Sequence, residues 1–246
     1  NTVTERLGGI NVSTTGGVFH SYDGNVAPDK YVRAVSEAFK KNGGRIENNT
    51  RVDGFQTNGY HVSGVVTNRG LMSADEIVLS AGSWSPNIVN DLGIKIPIQP
   101  AKGYSVTYKK PEGSPEIPII FGEQRIAMSP IDHSVRLAGT LEMAGMNLSI
   151  NRRRLNVIAG SLGRYFPDLR TSDLELLEEW SGLRPITPDG LPLIGRWPTY
   201  NNVTIAAGHG MIGMSTSPAT GKLVSQLVAR EDPLINLAPL AVERFG

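Results

Sequence analysis

One stretch near the carboxyl end combines a strand, a glycine-rich turn and a helix in an order that restricts how the chain can fold. The apolar run Val203–Ala207 has the length of a buried strand, and three glycines follow it within residues 208–213, which we call the glycine turn. Pro218 and apolar positions spaced for one helical face then predict a helix that begins at Pro218 and ends near Arg230. The first N–H groups of a helix lack intrahelical partners and lie at the positive end of its dipole. The glycine turn is therefore expected to hold an electron-rich or anionic ligand.

A second feature precedes the glycine turn in the chain. Arg184 stands between Gly182 and Pro185 in a segment that is too rich in proline to form a helix. Its side chain is a permanent cation with a planar fork of donors, a geometry that matches a carboxylate. A cation and a cradle of N–H groups encoded so close together suggest a single site.

These stretches resemble the C-terminal signature of the D-amino-acid oxidase superfamily, which consists of FAD-dependent amine oxidoreductases. The residues that carry the resemblance are Trp180–Gly190 and Ala207–Gly213. The similarity to the bacterial D-amino-acid dehydrogenases of that superfamily continues through Gly16–His20, Lys102–Ser105 and Leu137–Glu142, and it covers nearly the whole chain. The resemblance implies a flavoprotein of amino-acid catabolism. Its reaction would be hydride transfer from a D-amino acid to FAD, giving an imino acid that water converts to a 2-oxo acid and ammonia.

The resemblance also implies roles for individual residues. Arg184 would pair with the substrate carboxylate, and Tyr104 and Met211 are the other expected substrate contacts. The residues expected to contact FAD are Val52, Ala81, Gly82, Trp84, Gly208, His209, Gly210, Met211, Ile212, Gly213 and Met214. Structural alternatives stand beside these roles, because turn glycines supply backbone angles and a tyrosine on an alternating strand commonly packs in a core. No catalytic acid or base is assigned, since this chemistry needs orientation, a dry pocket and an electron sink more than a strong base.

Composition argues against several other classes of function. The chain has 246 residues and a formal net charge of +1, which gives no support for a nucleic-acid partner. Cysteine is absent, which excludes disulfides, thiolate metal sites and a cysteinyl-linked flavin, and the four histidines show no metal-ligand spacing. No apolar run approaches the roughly 20 residues that span a bilayer, and no signal peptide is visible. The expected location is the cytoplasm, with a peripheral position on the inner membrane as the alternative.

The spacing of apolar residues predicts an α/β fold in two parts. Helices are expected at Pro28–Asn42, with an apolar face formed by Tyr31, Val32, Val35, Ala38 and Phe39, and at Asn151–Phe166. Short strands are expected near residues 17–20, 45–47, 51–56, 61–67 and 76–80. The run that begins at Ile77 lacks alternation, which fits a central strand covered on both faces. Longer alternating strands are expected at 96–108, 124–129 and 134–140.

These elements predict a partial FAD-binding domain and a substrate-binding domain. Residues 1–94 and 181–246 are assigned to the first, and residues 95–180 to the second, a largely antiparallel sheet with flanking helices. A two-domain FAD enzyme should also carry a Gly-x-Gly-x-x-Gly turn that seats the dinucleotide phosphates. That turn is expected near the amino end of such an enzyme, whereas the one Gly-x-Gly-x-x-Gly spacing in this sequence is Gly208–Gly213, near the carboxyl end. We therefore expect a C-terminal fragment of a flavoenzyme, inactive alone, whose phosphate-binding part is missing or supplied by a separate N-terminal chain.

Three functions remain open at this point. The first is a D-amino-acid dehydrogenase that passes electrons to a quinone or another carrier. Glycine oxidases carry an arginine where this chain has Met211, and that difference favours a dehydrogenase with larger apolar substrates. The alternatives are an oxidase acting on glycine, sarcosine or a similar amine, and a non-catalytic fragment or subunit that supplies the substrate domain.

Overall fold

A computed structural model of the chain describes residues 2–245 and divides into two compact units. The first unit contains Lys102–Glu142, Asn147–Gly182 and the chain up to Phe39, and the second contains Lys40–Ala101, Met143–Met146 and the chain from Leu183 onward. The sequence assigned the residues before 40 to the FAD-binding part. They cluster with the first unit instead, because apolar residues near the amino end pack in the core of that unit.

The secondary structure follows the predicted order. The helices are α1 (Val3–Arg6), α2 (Pro28–Lys41), α3 (Ser85–Ile88), α4 (Arg152–Tyr165) and α5 (Gly213–Ala229). The strands are β1 (Val52–Asn58), β2 (His61–Thr67), β3 (Gly70–Ser73), β4 (Ile77–Leu79), β5 (Gln99–Lys109), β6 (Ile119–Phe121), β7 (Ile126–Ile131), β8 (Ser134–Glu142), β9 (Leu176–Ile186), β10 (Leu193–Arg196) and β11 (Val203–Ala207). Short 3₁₀ helices lie at Gly82–Trp84, Asn90–Leu92, Thr171–Asp173 and Ala238–Leu240. The strands predicted near 17–20 and 45–47 are wrong, since both segments are exposed and neither pairs with a described strand.

The first unit is built on a five-stranded sheet with the order β6-β7-β8-β5-β9. The pairs β6/β7, β7/β8 and β5/β8 are all antiparallel, as predicted for this part of the chain. One face of the sheet packs against α4, whose buried residues Leu155, Ile158 and Leu162 recur at helical spacing. The side chain of Asn151 caps α4 by accepting from the N–H groups of Arg153 and Arg154. The predicted combination of an antiparallel sheet and a flanking helix is confirmed.

The second unit contains a three-stranded sheet, β10-β11-β4, and a three-stranded meander, β1-β2-β3. In the sheet, β11 runs parallel to β4 and antiparallel to β10. The prediction that β4 is a central strand covered on both faces is wrong for the described chain. β4 lies at the edge of its sheet, and Val78 remains 40% exposed while Leu79 is buried. The non-alternating sequence of β4 is typical of a strand buried on both faces, but within the described residues only one of its faces is buried.

Helix α2 forms where it was predicted, but its apolar face is not packed. Val32, Val35 and Phe39 are each about half exposed, and no residue of α2 is buried. Helical periodicity establishes that a helix is amphipathic and leaves open what covers its apolar face. The predicted apolar face of α2 is therefore present but uncovered within residues 2–245.

Buried Asn202 joins the meander to the sheet of the second unit. Its Nδ2 donates to the backbone oxygens of Val62 at 2.9 Å and Asp75 at 3.1 Å, and its Oδ1 accepts from the N–H of Val62 at 3.0 Å. Asn202 is only 1% exposed. Asn202 immediately precedes β11, and Asp75 lies just before β4. The side chain of Asn202 therefore attaches the meander to the point where the parallel strands β4 and β11 begin.

Replacing Asn202 by alanine should lower the free energy of unfolding by about 2–4 kcal/mol, because buried backbone groups of Val62 and Asp75 would lose their partner. Urea unfolding monitored by circular dichroism measures this loss. Asn201→Ala is the matched control, since Asn201 is exposed and its Oδ1 contacts only a ring nitrogen of His61, so its cost should stay within about 0.5 kcal/mol. Equal losses in the two variants would contradict the role assigned to Asn202.

Candidate functional site

The parallel pair β4/β11 brings two of the predicted cofactor segments to the same edge of a sheet. Leu79 lies opposite Ile205, so both strands end at nearly the same level. The segment Ala81–Trp84 follows β4 there, and the glycine turn follows β11. Ligands of open α/β sheets bind beyond the carboxyl ends of parallel strands. The topology of the second unit thus creates a ligand position between these two segments.

The glycine turn has backbone angles and surroundings that exclude side chains at two positions. Gly208 has φ +84° and Gly210 has φ +55°, both in the left-handed region that favours glycine. A Cβ atom added at Gly208 would lie 2.6 Å from Cγ2 of Thr187, and one added at Gly210 would lie 3.3 Å from Cδ1 of Ile186. The turn therefore lies against the strand segment that carries Arg184, and a side chain would push it away.

The sequence predicted that α5 begins at Pro218, but the helix begins at Gly213. Pro218 lies inside the helix and cannot donate to the carbonyl of Met214, but Oγ of Ser217 donates to that oxygen at 2.9 Å. The residue at the N-cap position, Ile212, has no side-chain oxygen to accept from the first N–H groups. These N–H groups can therefore serve a ligand. The predicted end of the helix is confirmed, because Arg230 takes the left-handed C-cap conformation.

A hydrogen bond fastens the glycine turn to the residue that follows Arg184. The N–H of Gly210 donates to the carbonyl oxygen of Pro185 at 2.9 Å, and Ile186 forms an isolated antiparallel bridge with His209. The structure thus attaches the turn to the backbone that immediately follows Arg184. Because the N–H of Gly210 makes this attachment, it does not serve as a donor to a ligand.

Arg184 is partly buried, and this burial lowers the pKa of its guanidinium from the usual value. Arginine nevertheless remains protonated in proteins, so the strand segment that contacts the turn carries a partly desolvated cation. Oγ of Ser83 donates to the carbonyl oxygen of Leu183 over 3.5 Å, which links the Ala81–Trp84 segment to the same strand. Three of the predicted site segments, those around residues 82, 184 and 210, are therefore assembled in the second unit.

The side chain of His209 points along α5. Its Nε2 lies 2.9 Å from Oγ1 of Thr220, and burial lowers the pKa of His209, which favours the neutral ring. Thr220 had no signal in the sequence, because a threonine inside a helix is ordinary. The contact of His209 with FAD stays a prediction. Its ring contacts α5 through Thr220, and its backbone forms part of the glycine turn.

The apolar residues of the turn are open to solvent. Met211 is 74% exposed, and Ile212 and Met214 are also exposed. Exposed large apolar side chains beside a cluster of backbone donors can contact the planar part of a ligand and keep water away from it. Their assignment to FAD and substrate stays a prediction.

Two predicted site residues lie elsewhere. Val52 begins β1, opposite Thr67, in the meander rather than in the sheet that carries the turn. Tyr104 belongs to the first unit, is 1% exposed in the core between the sheet and α4, and donates its hydroxyl to Glu142 at 2.5 Å. Tyr104 is therefore a core residue, which was the structural alternative for it. Its role as a substrate contact stays a prediction, and its burial gives that role no support.

Within residues 2–245, no group of three His, Asp or Glu side chains is placed to hold a metal ion. No helix in the same range combines the length and the apolar character needed to cross a bilayer.

Replacing Gly208 by alanine should lower the free energy of unfolding by about 1–3 kcal/mol from the strained φ alone, and by more because of the contact with Thr187. Thr187→Ser removes the colliding Cγ2 but keeps the hydroxyl that donates to Leu191. The double variant should therefore recover about 1 kcal/mol relative to additivity. Chemical unfolding of the four proteins of this cycle measures the coupling. Gly190→Ala is the control, because it has φ +77° and open space, and strict additivity in the cycle would contradict the packing argument.

Comparison with known proteins agrees with this geometry. The family described as FAD dependent oxidoreductase (DAO) matches residues 2–227. The chain is 35% identical to the D-amino acid dehydrogenase of Bradyrhizobium diazoefficiens and 34% identical to that of Paramagnetospirillum magneticum, over 99% of this chain in both cases. It covers 58% and 57% of those two proteins, so it spans less than two thirds of their length.

A solved structure extends the similarity to three dimensions. The crystal structure of glycine oxidase from Geobacillus kaustophilus aligns with a TM-score of 0.81 and 25% identity, covering 89% of this chain and 58% of that protein. Because the match covers 89% of this chain, it includes residues of both units described above. On the sequence match and the fold together, the chain belongs to the family of FAD-dependent oxidoreductases that includes the D-amino-acid dehydrogenases.

Proposed function

We propose that this chain is the part of an FAD-dependent D-amino-acid dehydrogenase that binds the substrate carboxylate and cradles the flavin end of FAD. The observation that carries the proposal is the hydrogen bond from Gly210 to Pro185, which holds the glycine turn beside Arg184. A cofactor position and a carboxylate-binding cation are thereby joined in one unit. The dehydrogenases at 34–35% identity support the substrate class.

The residues of the second unit fit the flavin end of FAD on structural grounds. Gly208 and Gly210 let the turn lie close against Ile186 and Thr187, which holds the start of α5 beside the strand that carries Arg184. The open start of α5 offers N–H donors and a positive dipole end to an electron-rich ring edge. The segment Ala81–Trp84 would lie along the same ligand, where Gly82 has φ +56° and open space around it. When bound, FAD would accept the hydride from the Cα of the amino acid.

Arg184 would orient the substrate for this transfer. A bidentate pair with the carboxylate fixes both the position and the angle of the Cα–H bond. Partial burial strengthens such a pair, because the local dielectric constant is lower than in water. The same cation disfavours a second positive charge nearby, so it favours the substrate with a neutral amine, the form that can release a hydride. Met211 and Ile212 would cover the reacting atoms and exclude water.

The acid–base requirements of the reaction can be met without a dedicated residue. The titratable side chains of the assembled segments are Arg184, which is permanently charged, and His209, whose Nε2 contacts Thr220. The amine proton is lost to solvent before binding, and water hydrolyses the imino acid after release. We therefore assign substrate orientation to this site and no general base.

The phosphate end of FAD would be held by a segment that these residues do not include. We propose that this segment pairs with the exposed edge of β4, as an upstream part of the same protein or as a separate chain. Residues 1–94 and 181–246 would then act as the FAD-binding part and residues 95–180 as the substrate-binding part. Electrons would pass to a quinone or another carrier, in the cytoplasm or at the surface of the inner membrane.

An amine oxidase of the glycine oxidase type is the second candidate, favoured by the structural match at a TM-score of 0.81. The two functions differ in the electron acceptor and therefore in the product. Steady hydrogen peroxide formation by the complete enzyme with glycine or sarcosine would identify the oxidase. Reduction of a quinone with D-amino acids and little peroxide would identify the dehydrogenase.

The 246-residue chain alone should not retain FAD, because the cofactor's affinity depends strongly on its pyrophosphate seat, which requires a phosphate-binding turn. Gel filtration after incubation with FAD should give a protein peak without a visible flavin band. The control is the same chain supplied together with the phosphate-binding segment of a relative, which should restore the band. A stoichiometric flavin band in the chain alone would overturn the proposed division of the cofactor site.

In the complete FAD-loaded enzyme, Arg184→Met should weaken substrate affinity roughly tenfold to 150-fold, since a lost charge-assisted hydrogen bond costs about 1.5–3 kcal/mol. Arg184→Lys keeps the charge but loses the donor fork, so it should also be impaired. Stopped-flow flavin reduction against D-amino-acid concentration measures the effect. Arg153→Met, on the exposed face of α4, is the control and should behave like the parent. Unchanged saturation in Arg184→Met with normal flavin content would assign Arg184 a structural role.

A further inference from the structure

The contact between His209 and Thr220 spans a weak point in α5. Thr220 lies beyond Pro218 in the helix, whereas His209 precedes the helix by four residues, counting from 209 to 213. Pro218 interrupts the ladder of backbone hydrogen bonds between these two positions, because it has no N–H for the carbonyl of Met214. The side chain of His209 therefore connects the glycine turn directly to the part of the helix on the far side of the interruption.

The first turn of α5 begins without a side-chain cap. Ile212 provides no side-chain cap, and Gly213 has more backbone freedom than any other residue type. At this end the N–H and the hydroxyl of Thr216 both donate to the carbonyl oxygen of Ile212, at 3.0 Å each. Ser217 compensates for the missing donor of Pro218 with its hydroxyl. The orientation of the first N–H groups thus depends on contacts made outside the helix backbone.

The absence of a side chain at Gly213 leaves room for His209 beside the start of α5. A Cβ atom added at Gly213 would lie 3.2 Å from Cβ of His209, so glycine at this position gives the histidine stem room against the helix start. On its other side, the backbone of His209 bridges Ile186 in the Arg184 strand. His209 consequently joins three elements: the strand through its backbone, the turn through its place in the chain, and α5 through its ring.

We propose that His209 is a positioning residue, which holds the first turn of α5 through Thr220 so that its N–H groups face the flavin end of FAD. The role in FAD binding rests on the proposed function, whereas the restraint on the helix does not. His209 acts through the backbone of α5, and its ring does not touch the cofactor. Burial keeps the ring neutral at physiological pH, and a neutral ring can either donate to or accept from the threonine hydroxyl.

The test compares Thr220→Val with Thr220→Ser in the complete protein. Valine keeps the shape of threonine but loses the hydroxyl, and serine keeps the hydroxyl. Thr220→Val should accelerate hydrogen exchange at Gly213–Ser217 and leave the exchange at Leu223–Ala229 unchanged. It should also raise the FAD dissociation constant about threefold to tenfold, which corresponds to one hydrogen bond. Thr220→Ser should keep both the exchange rate and the FAD dissociation constant at the values of the parent. His209→Gln, which has an amide of similar reach, should give values between those of the parent and those of Thr220→Val.

Ser225→Ala is the matched control, because it removes a hydroxyl from the exposed far half of α5 that donates only within the helix. It should leave both exchange and FAD affinity at parent values. Unchanged exchange at Gly213–Ser217 in Thr220→Val would overturn the proposal, and so would faster exchange with an unchanged FAD dissociation constant. If the parent protein itself bound no FAD, the proposed function would fail separately, and the exchange measurements would still decide whether His209 restrains the helix.

Discussion

The attachment of the glycine turn to the Arg184 strand is the interaction on which the candidate site depends. It consists of the hydrogen bond from Gly210 to Pro185 and the bridge between His209 and Ile186. The attachment requires the left-handed backbone of Gly208 and Gly210, because a side chain at either position would meet the strand segment it must approach. Without this contact the cation and the helix start would lie in separate parts of the second unit, and no single ligand could use both.

The sequence predicted the parts of this site that follow from local chemistry. Glycines after an apolar strand indicate a turn with unusual backbone angles, and an arginine between Gly182 and Pro185 indicates a cation on an extended segment. The start of α5 was mispredicted, because Pro218 normally marks the first turn of a helix, and the hydroxyl of Ser217 that compensates for it inside the helix has no sequence signal. The direction of the His209 ring was also beyond prediction, since it depends on how α5 leaves the turn.

A different limit applies to α2 and β4. Their apolar residues were read correctly as faces that favour burial, and both elements form where they were expected. Periodicity describes the face of an element but not the partner that covers it, so the exposure of Val35 and Val78 could be learned only from the structure. Exposed apolar residues at a sheet edge mark a surface suited to further packing, and this is why we assign the remaining part of the FAD site to the edge of β4.

The N–H groups of the glycine turn and those at the start of α5 have different roles in the electrostatics of the site. Because Gly210 donates to Pro185, the middle of the glycine turn contributes shape and attachment but no donor. Stabilisation of negative charge on a bound ligand must then come from the start of α5, where the effect of a helix dipole is confined to the first turn and is worth about 0.3–1 kcal/mol when exposed and up to ~2 kcal/mol when partly buried. Such a short-range effect is sensitive to small rotations of that turn. A helix whose backbone ladder is interrupted at Pro218 therefore needs a restraint from outside its backbone, and His209 is placed to provide it.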